Sequence, residues 1–194
     1  MITHGWYFDQ TRCTNCFTCI VACKDWHHVP AGPASWIRVK TLEEGRYPDL
    51  QLSFLVQCCY HCAKPSCLEA CPVQAIRKRE DNGLVVVDAE ACIGKDRCGL
   101  CSQACPYDAP QFGAEENAKM QKCDLCLERL LQGLKTICVA ACPMRALDAG
   151  PMEELIRRYG GGREVEGFSY SSKLEPSIVF KRKARATPRG SIKI

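Results

Sequence analysis

The stretch Cys59-Tyr-His-Cys62-Ala-Lys-Pro-Ser-Cys67-Leu-Glu-Ala-Cys71-Pro72 decides the reading of this chain. Three closely spaced cysteines can each take one corner of a single metal cluster. A fourth follows three residues on, with proline directly behind it. The proline keeps the chain from turning back on itself. A cysteine so placed suits ligation of a second, neighbouring [4Fe–4S] cluster, as in two-cluster ferredoxins. The stretch therefore predicts partner motifs.

Three such groups are present. Cys13, Cys16, Cys19 and Cys23 run as C-x2-C-x2-C-x3-C, followed by Lys24 in place of proline. Cys92, Cys98, Cys101 and Cys105-Pro106 form a group with five residues between its first two members instead of two. Cys123, Cys126, Cys138 and Cys142-Pro143 form another, with an insert over 127–137 that predicts a helical turn or two. Cys71-Pro-Val-Gln-Ala-Ile76, Cys105-Pro-Tyr-Asp-Ala-Pro110 and Cys142-Pro-Met-Arg-Ala-Leu147 are an internal repeat. Three copies and the variant ending at Cys23 give four motifs, hence two ferredoxin-like pairs.

Composition agrees. The chain has 194 residues, the size of one or two small domains. Its seventeen cysteines are roughly 9% of the residues, near the level of a disulfide scaffold. Their odd number, their tight grouping and a start, Met1-Ile-Thr-His-Gly-Trp-Tyr-Phe8, without a basic, apolar leader favour metal in a reducing compartment. Without cysteine the apolar fraction is roughly 37%, low for a chain that must bury a core. Bound clusters are expected to supply much of the folding free energy, leaving the apo chain largely unfolded. No run of 18 apolar residues predicts a membrane span. The formal charge is +4. An oxidised cubane with its four thiolates carries about −2, so four of them bring the loaded protein to roughly −4. That balance argues against nucleic acid as a partner.

Other chemistries fit less well. Structural zinc sites usually take two C-x2-C pairs separated by a longer loop. A Rieske centre needs two histidines on one iron; the histidines are His4, His27, His28 and His61, and no C-x2-H follows His61. His61 is read as packing or hydrogen-bonding near a cluster, His27 and His28 as lying in a solvated loop. Lys95 and Arg97, in the widened third group, either raise a cluster potential or face water. Cys58 breaks the C-x2-C spacing to Cys62 and reads as a buried non-ligand. No G-x-S-x-G, P-loop or G-x-G-x-x-G occurs, so no catalytic residue is assigned.

The predicted fold class is α+β: two bacterial ferredoxin-like 2[4Fe–4S] modules, loop-rich with short hairpins and short helices, plus an extended C-terminal tail. Residues 1–50 and 111–150 form the module with motifs one and four. Residues 51–110 form an inserted module with motifs two and three, and 151–194 a C-terminal docking helix and tail. Strands are predicted at Trp6-Tyr-Phe8 and 52–56, and a hairpin over 75–88 around Asn82-Gly83. The polar, proline- and glycine-containing stretch 24–50 reads as loop. Met152–Tyr159 reads as an amphipathic helix stopped by Gly160-Gly-Gly162, and 174–180 as an extended segment. The end is basic, with Lys181-Arg-Lys-Ala-Arg185 and Arg189.

The hairpin 75–88 joins the second and third groups, so these pair with each other, and the first and fourth pair around them. Crossed ligation then gives four sets: Cys13, Cys16, Cys19 with Cys142; Cys123, Cys126, Cys138 with Cys23; Cys59, Cys62, Cys67 with Cys105; Cys92, Cys98, Cys101 with Cys71.

With these motifs in hand, the chain resembles the iron–sulfur subunits of DMSO reductase-type molybdenum oxidoreductases over nearly all of residues 6–180. The likeness rests on Cys13 to Lys24, on Cys59 to Pro72, on Cys92-Ile-Gly with Ala104-Cys-Pro-Tyr-Asp-Ala-Pro-Gln111, and on Lys122-Cys-Asp-Leu-Cys126 with Ile137-Cys-Val-Ala-Ala-Cys-Pro-Met-Arg-Ala-Leu-Asp148. Pro176-Ser-Ile-Val-Phe180 also looks like that family's tail. The widened third motif departs from the family's commonest form. The resemblance implies a non-catalytic subunit that relays electrons through four [4Fe–4S] clusters, in the order given above. It implies a catalytic partner with a molybdenum or tungsten bis-pterin guanine dinucleotide cofactor, and a membrane anchor exchanging electrons with quinones. The location implied is peripheral, in a membrane-associated complex that is assembled in the cytoplasm and can then be exported to the periplasmic side with its partner. A soluble polyferredoxin shuttle and an auxiliary subunit with structural clusters are the alternatives.

Overall fold

The computed structural model of the protein describes residues 2–184. In chain order its elements are β1 (His4–Asp9), α1 (Thr18–Trp26), β2 (Ile37–Glu44), β3 (Gln51–Cys58), α2 (Ser66–Glu69), β4 (Ile76–Lys78), β5 (Val85–Val87), α3 (Leu100–Ala104), α4 (Leu127–Leu131), α5 (Ile137–Ala141), β6 (Leu147–Pro151), α6 (Met152–Tyr159) and β7 (Ile178–Lys181). Short elements separated by long irregular segments make the α+β, loop-rich fold that the cysteine pattern predicts.

β1 is the middle strand of a three-stranded sheet, antiparallel to β6 and parallel to β7. The period-two alternation of a strand splits its side chains between two faces. Trp6 and Phe8 join Leu147, Ile178 and Phe180 in the main core. Tyr7 joins Val179 on the other face, against Leu155 and Met152 of α6. The Trp6 indole Nε1 donates to the Cys59 carbonyl at 3.1 Å, tying this sheet to the second cysteine group.

The predicted hairpin forms as β4 and β5, with Ile76 opposite Val87 and Lys78 opposite Val85. Gly83 holds φ +71°, a left-handed turn position that suits glycine. The Asn82 side chain accepts the Leu84 N–H at 3.1 Å.

Residues 24–50 are not the loop expected from their prolines and glycines. α1 extends to Trp26, and β2 pairs with β3 along its whole length, from Ile37 opposite Cys58 to Glu44 opposite Gln51. The turn-forming residues lie outside the strand: Pro33 precedes it, and Gly45 and Pro48 sit in the tip. Between them, Ile37 and Val39 alternate with Arg38 and Lys40 and pack on the core that holds Leu55 and Val56.

The tail also differs from its expected role as a separate docking element. α6 forms over the predicted residues and ends at Gly160, but its apolar face is covered by β1 and β7. Segment 174–177 runs along the second cysteine group. Ala63 N–H donates to the Glu175 carbonyl at 2.9 Å, Lys64 N–H to Leu174 at 3.0 Å, and Ser177 N–H to Tyr60 at 2.9 Å. Ile178, Val179 and Phe180 are then buried to 3% exposure or less. Tyr60, Tyr107, Phe168 and Phe180 pack ring against ring where tail and cysteine segments meet. The basic residues Arg185 and Arg189 lie outside the described residues. Among the described residues no helix is long and apolar enough to cross a membrane.

Candidate metal centres

Each Cys-Pro repeat folds into the same turn. The N–H of Gln74, Asp108 and Arg145 donates to the carbonyl of Cys71, Cys105 and Cys142 at 3.2, 3.3 and 3.2 Å. These three residues then take left-handed backbone, with φ +51°, +51° and +49°. The turn swings the next residue, an alanine, so that its N–H faces the cysteine sulfur: Ala75 to Cys71 Sγ at 3.3 Å and Ala146 to Cys142 Sγ at 3.4 Å. Ala75, Ala109 and Ala146 are all buried, which accounts for the small residue at this point of the repeat. The third cysteines of the later groups, Cys67, Cys101 and Cys138, sit in α2, α3 and α5.

The sixteen cysteines of the four motifs come together in four crossed quartets. Cys13, Cys16, Cys19 and Cys142 line one small cavity. Cys59, Cys62, Cys67 and Cys105 line a second, and Cys71, Cys92, Cys98 and Cys101 a third. Cys23, Cys123, Cys126 and Cys138 are all buried, and burial together with Cys123, Cys126 and Cys23 pushes the Cys138 thiol up. α1 spans two quartets: Cys19 lies among Cys13, Cys16 and Cys142, whereas Cys23, one turn on, lies beside Cys123 and Cys126. Neighbouring quartets touch in series. Cys59 lies beside Cys123, and Cys67 beside Cys101.

The spacing of the sulfurs bears on the metal. Thiolates about 2.3 Å from one tetrahedral zinc lie roughly 3.8 Å from each other. Among the described residues no three of these sulfurs lie within 4.8 Å of one another. Wider spacing suits the corners of a cluster. Burial pushes the thiols of Cys19, Cys62, Cys67 and Cys126 up to about 12 and that of Cys101 to about 11. Such thiols stay protonated at neutral pH unless a metal cation draws off the proton, so loading the quartets releases protons.

Groups outside the quartets shape their surroundings. His27 is not in a solvated loop. Its side chain is 13% exposed, packs at a tilt against Trp36 with 4.5 Å between ring centroids, and places Nε2 3.3 Å from Cys126 Sγ. Trp36 is held in turn by its Nε1 donating to Gln121 Oε1 at 2.9 Å. A hydrogen bond to a ligand sulfur raises a cluster's potential by stabilising the more negative reduced state. Exchanging His27 for Leu lowers the midpoint potential of a cluster held at Cys126, read by redox titration with EPR detection, and His27→Gln restores part of the shift. An unchanged potential in His27→Leu removes His27 from this role.

Lys122 is 2% exposed, and its Nζ donates to the carbonyls of Val85 and Cys123. This buried cation sits between two quartets, where burial raises the Cys59 thiol and Lys122 opposes it. Its place directly before Cys123 is visible in the sequence; its burial is not. His61 is fully buried, as expected between two cysteines, and its Nδ1 accepts the Val85 N–H at 3.0 Å. Cys58 is buried against Cys123.

In the widened third motif Lys95, Asp96 and Arg97 face water. The loop is clamped by the 117–119 segment. Asn117 N–H donates to Asp96 Oδ2 at 2.6 Å, Asn117 Nδ2 to the Ile93 carbonyl at 3.0 Å, and Lys95 N–H to the Ala118 carbonyl at 2.9 Å. Gly94, at φ +89°, lies so close to Asn117 that a Cβ there would overlap its side chain.

Residues 50–152 match the family described as a 4Fe-4S dicluster domain. The sequence is 39% identical to a chain of the anaerobic dimethyl sulfoxide reductase of Escherichia coli (strain K12), across 96% of this protein and 92% of that one. It is 36% identical to a sulfite dehydrogenase subunit of Allochromatium vinosum, across 71% and 64% of the two proteins. It is 32% identical to the formate dehydrogenase-O iron-sulfur subunit of Escherichia coli (strain K12), across 76% and 53%. Cysteine motifs, ferredoxin-like fold and near full-length similarity together place the protein in one family: it belongs to the iron–sulfur subunits of the DMSO reductase family of oxidoreductases.

Proposed function

We propose that this protein is the non-catalytic electron-transfer subunit of an oxidoreductase complex and relays electrons through four [4Fe–4S] clusters. The observation that carries this reading is the series of four neighbouring cysteine quartets. Cys13, Cys16, Cys19 and Cys142 would hold the first cluster and Cys123, Cys126, Cys138 and Cys23 the next. Cys59, Cys62, Cys67 and Cys105 would hold the third, and Cys92, Cys98, Cys101 and Cys71 the last. When bound, the clusters supply one-electron transfer at potentials set by their surroundings. The protein's own groups do the tuning. Lys122 and His27 favour the more negative reduced state, while burial of Cys23, Cys123, Cys126 and Cys138 disfavours it.

Motifs one and four, with motifs two and three inserted between them, make two ferredoxin-like modules, and the tail closes over both. By kinship with the dimethyl sulfoxide reductase and formate dehydrogenase-O relatives, the partners are a molybdenum or tungsten bis-pterin guanine dinucleotide catalytic chain and a quinone-linked membrane anchor. The first quartet faces the catalytic chain and the last the anchor, with the subunit peripheral to the membrane.

Anaerobic iron and sulfide analysis tests the cluster count. The loaded protein holds about sixteen irons and as many sulfides. Zinc in their place, or only two clusters at full loading, overturns the reading. Affinity purification from native membranes separates a complex subunit from a free shuttle: the former elutes together with a catalytic chain, and the latter elutes alone.

A further inference from the structure

The cleft between the first quartet and α6 is a feature that the relay leaves unused. It encloses about 600 Å³. Four cations line it: Arg12, Lys135, Arg145 and Arg158. Asp148 is the lone carboxylate in the lining, and it is taken by Arg158 at 3.3 Å and by the Tyr159 hydroxyl, which donates to it at 2.6 Å. Among the described residues Arg12, Lys135 and Arg145 enter no ion pair, and all three are exposed. The floor is firm. Tyr7 and Tyr159 stack at 3.7 Å, and Tyr7 belongs to the buried face of β1. Arg12 Nη1 donates to the Arg145 carbonyl at 3.4 Å, which joins the segments before the first cysteine and after the last.

The placement of the cleft gives it a meaning. Cys142 and Pro143 form part of its wall, and Cys142 also lines the cavity of the first quartet. Whatever fills the cleft therefore comes up against the first cluster position. The unpaired cations ask for carboxylates, and a cleft of about 600 Å³ has room for more than one such group.

We propose that this cleft receives a carboxylate-rich segment of the catalytic partner and thereby sets that partner against the first cluster. The proposal rests on the relay reading above and adds the site and the chemistry of the contact. A competing use of the same cations is to offset the negative charge of the cluster behind Cys142. The two uses differ in what they control. Docking charges govern association rate and its salt dependence, whereas charges serving the cluster govern its potential.

The test uses the complete protein loaded with iron and the catalytic chain that purifies with it from native membranes. Binding is followed by surface-immobilised titration at several salt concentrations. In Arg12→Glu/Arg145→Glu, the association rate falls at least about tenfold at low salt, and the gap to wild type narrows as salt screens the charges. Lys173→Glu, at an exposed lysine outside the cleft lining, binds as wild type does. The neutralised Arg145→Gln falls in between, which keeps the comparison open if the double variant loads iron poorly. A short poly-glutamate peptide slows wild-type association and leaves the double variant unaffected. Equal association of wild type and both arginine variants overturns the proposal, as does a change confined to the first cluster's potential. If even the wild type captures no catalytic chain, the relay reading itself falls.

Discussion

Replacing Cys142 with serine removes or converts the cluster held by Cys13, Cys16 and Cys19, although these residues lie at the other end of the sequence. The cluster held by Cys123, Cys126 and Cys138, near neighbours of Cys142 in sequence, survives at first. The expectation follows from Cys142 lining the same cavity as the first three cysteines, while Cys138 lies with Cys123, Cys126 and Cys23. Proline behind Cys142 and the left-handed turn at Arg145 fix the sulfur's direction away from its own motif. Iron analysis should show about one cluster in four lost or depleted. EPR of the reduced protein identifies which. Loss confined to the cluster of Cys123, Cys126 and Cys138 would mean that each motif closes on itself, and the crossed assignment would be wrong.

Cutting the chain after Gly150 has an effect of similar size for a different reason. The cut removes β7 and the 174–177 segment, so β1 loses its parallel partner and Tyr60 and Ala63 lose backbone bonds. It also uncovers Trp6, Phe8 and the aromatic group around Tyr107. A single Phe180→Ala should cost about 3–5 kcal/mol, as for other buried aromatics cut to alanine, and the full truncation more. The truncated protein is therefore expected to lose clusters and to resist refolding around iron. Anaerobic denaturant titration followed at the iron–sulfur absorbance measures both. Full cluster content and unchanged stability after truncation would return the tail to a purely docking role.

The parts of this molecule that are legible in the sequence are those encoded within a few residues. The C-P-x-x-A repeat fixes its own turn, and Asn82-Gly83 fixes the hairpin tip. The cysteine spacings mark three members of each quartet because those lie on one stretch of chain; the fourth comes from a different motif and is placed by the fold. α6 can be read from Leu155 and Met152 on one face and the glycines that end it. Elsewhere the deciding information is distant. Ile37 and Val39 are too few to announce a strand against the proline and glycine around them; Cys58 and Val56 opposite them are what stabilise β2. The tail reads as an element in search of a partner because its partner, β1, lies at the opposite end of the sequence. His27 reads as solvated from its polar neighbours, and only packing against Trp36 and Cys126 gives it a buried role.

The central place of β1 has a consequence for how the protein is made. It leaves the ribosome well before its two neighbours, β6 and β7. Until then Trp6, Tyr7 and Phe8 have no sheet to join, and Cys13, Cys16 and Cys19 have no fourth sulfur. Contacts of such sequence separation form slowly and only once β6 and β7 have emerged. The nascent polypeptide thus carries an uncovered aromatic strand and an incomplete set of thiols while the residues between β1 and β6 are made. Assembly of the first quartet therefore waits until Cys142 has emerged, long after Cys13, Cys16 and Cys19.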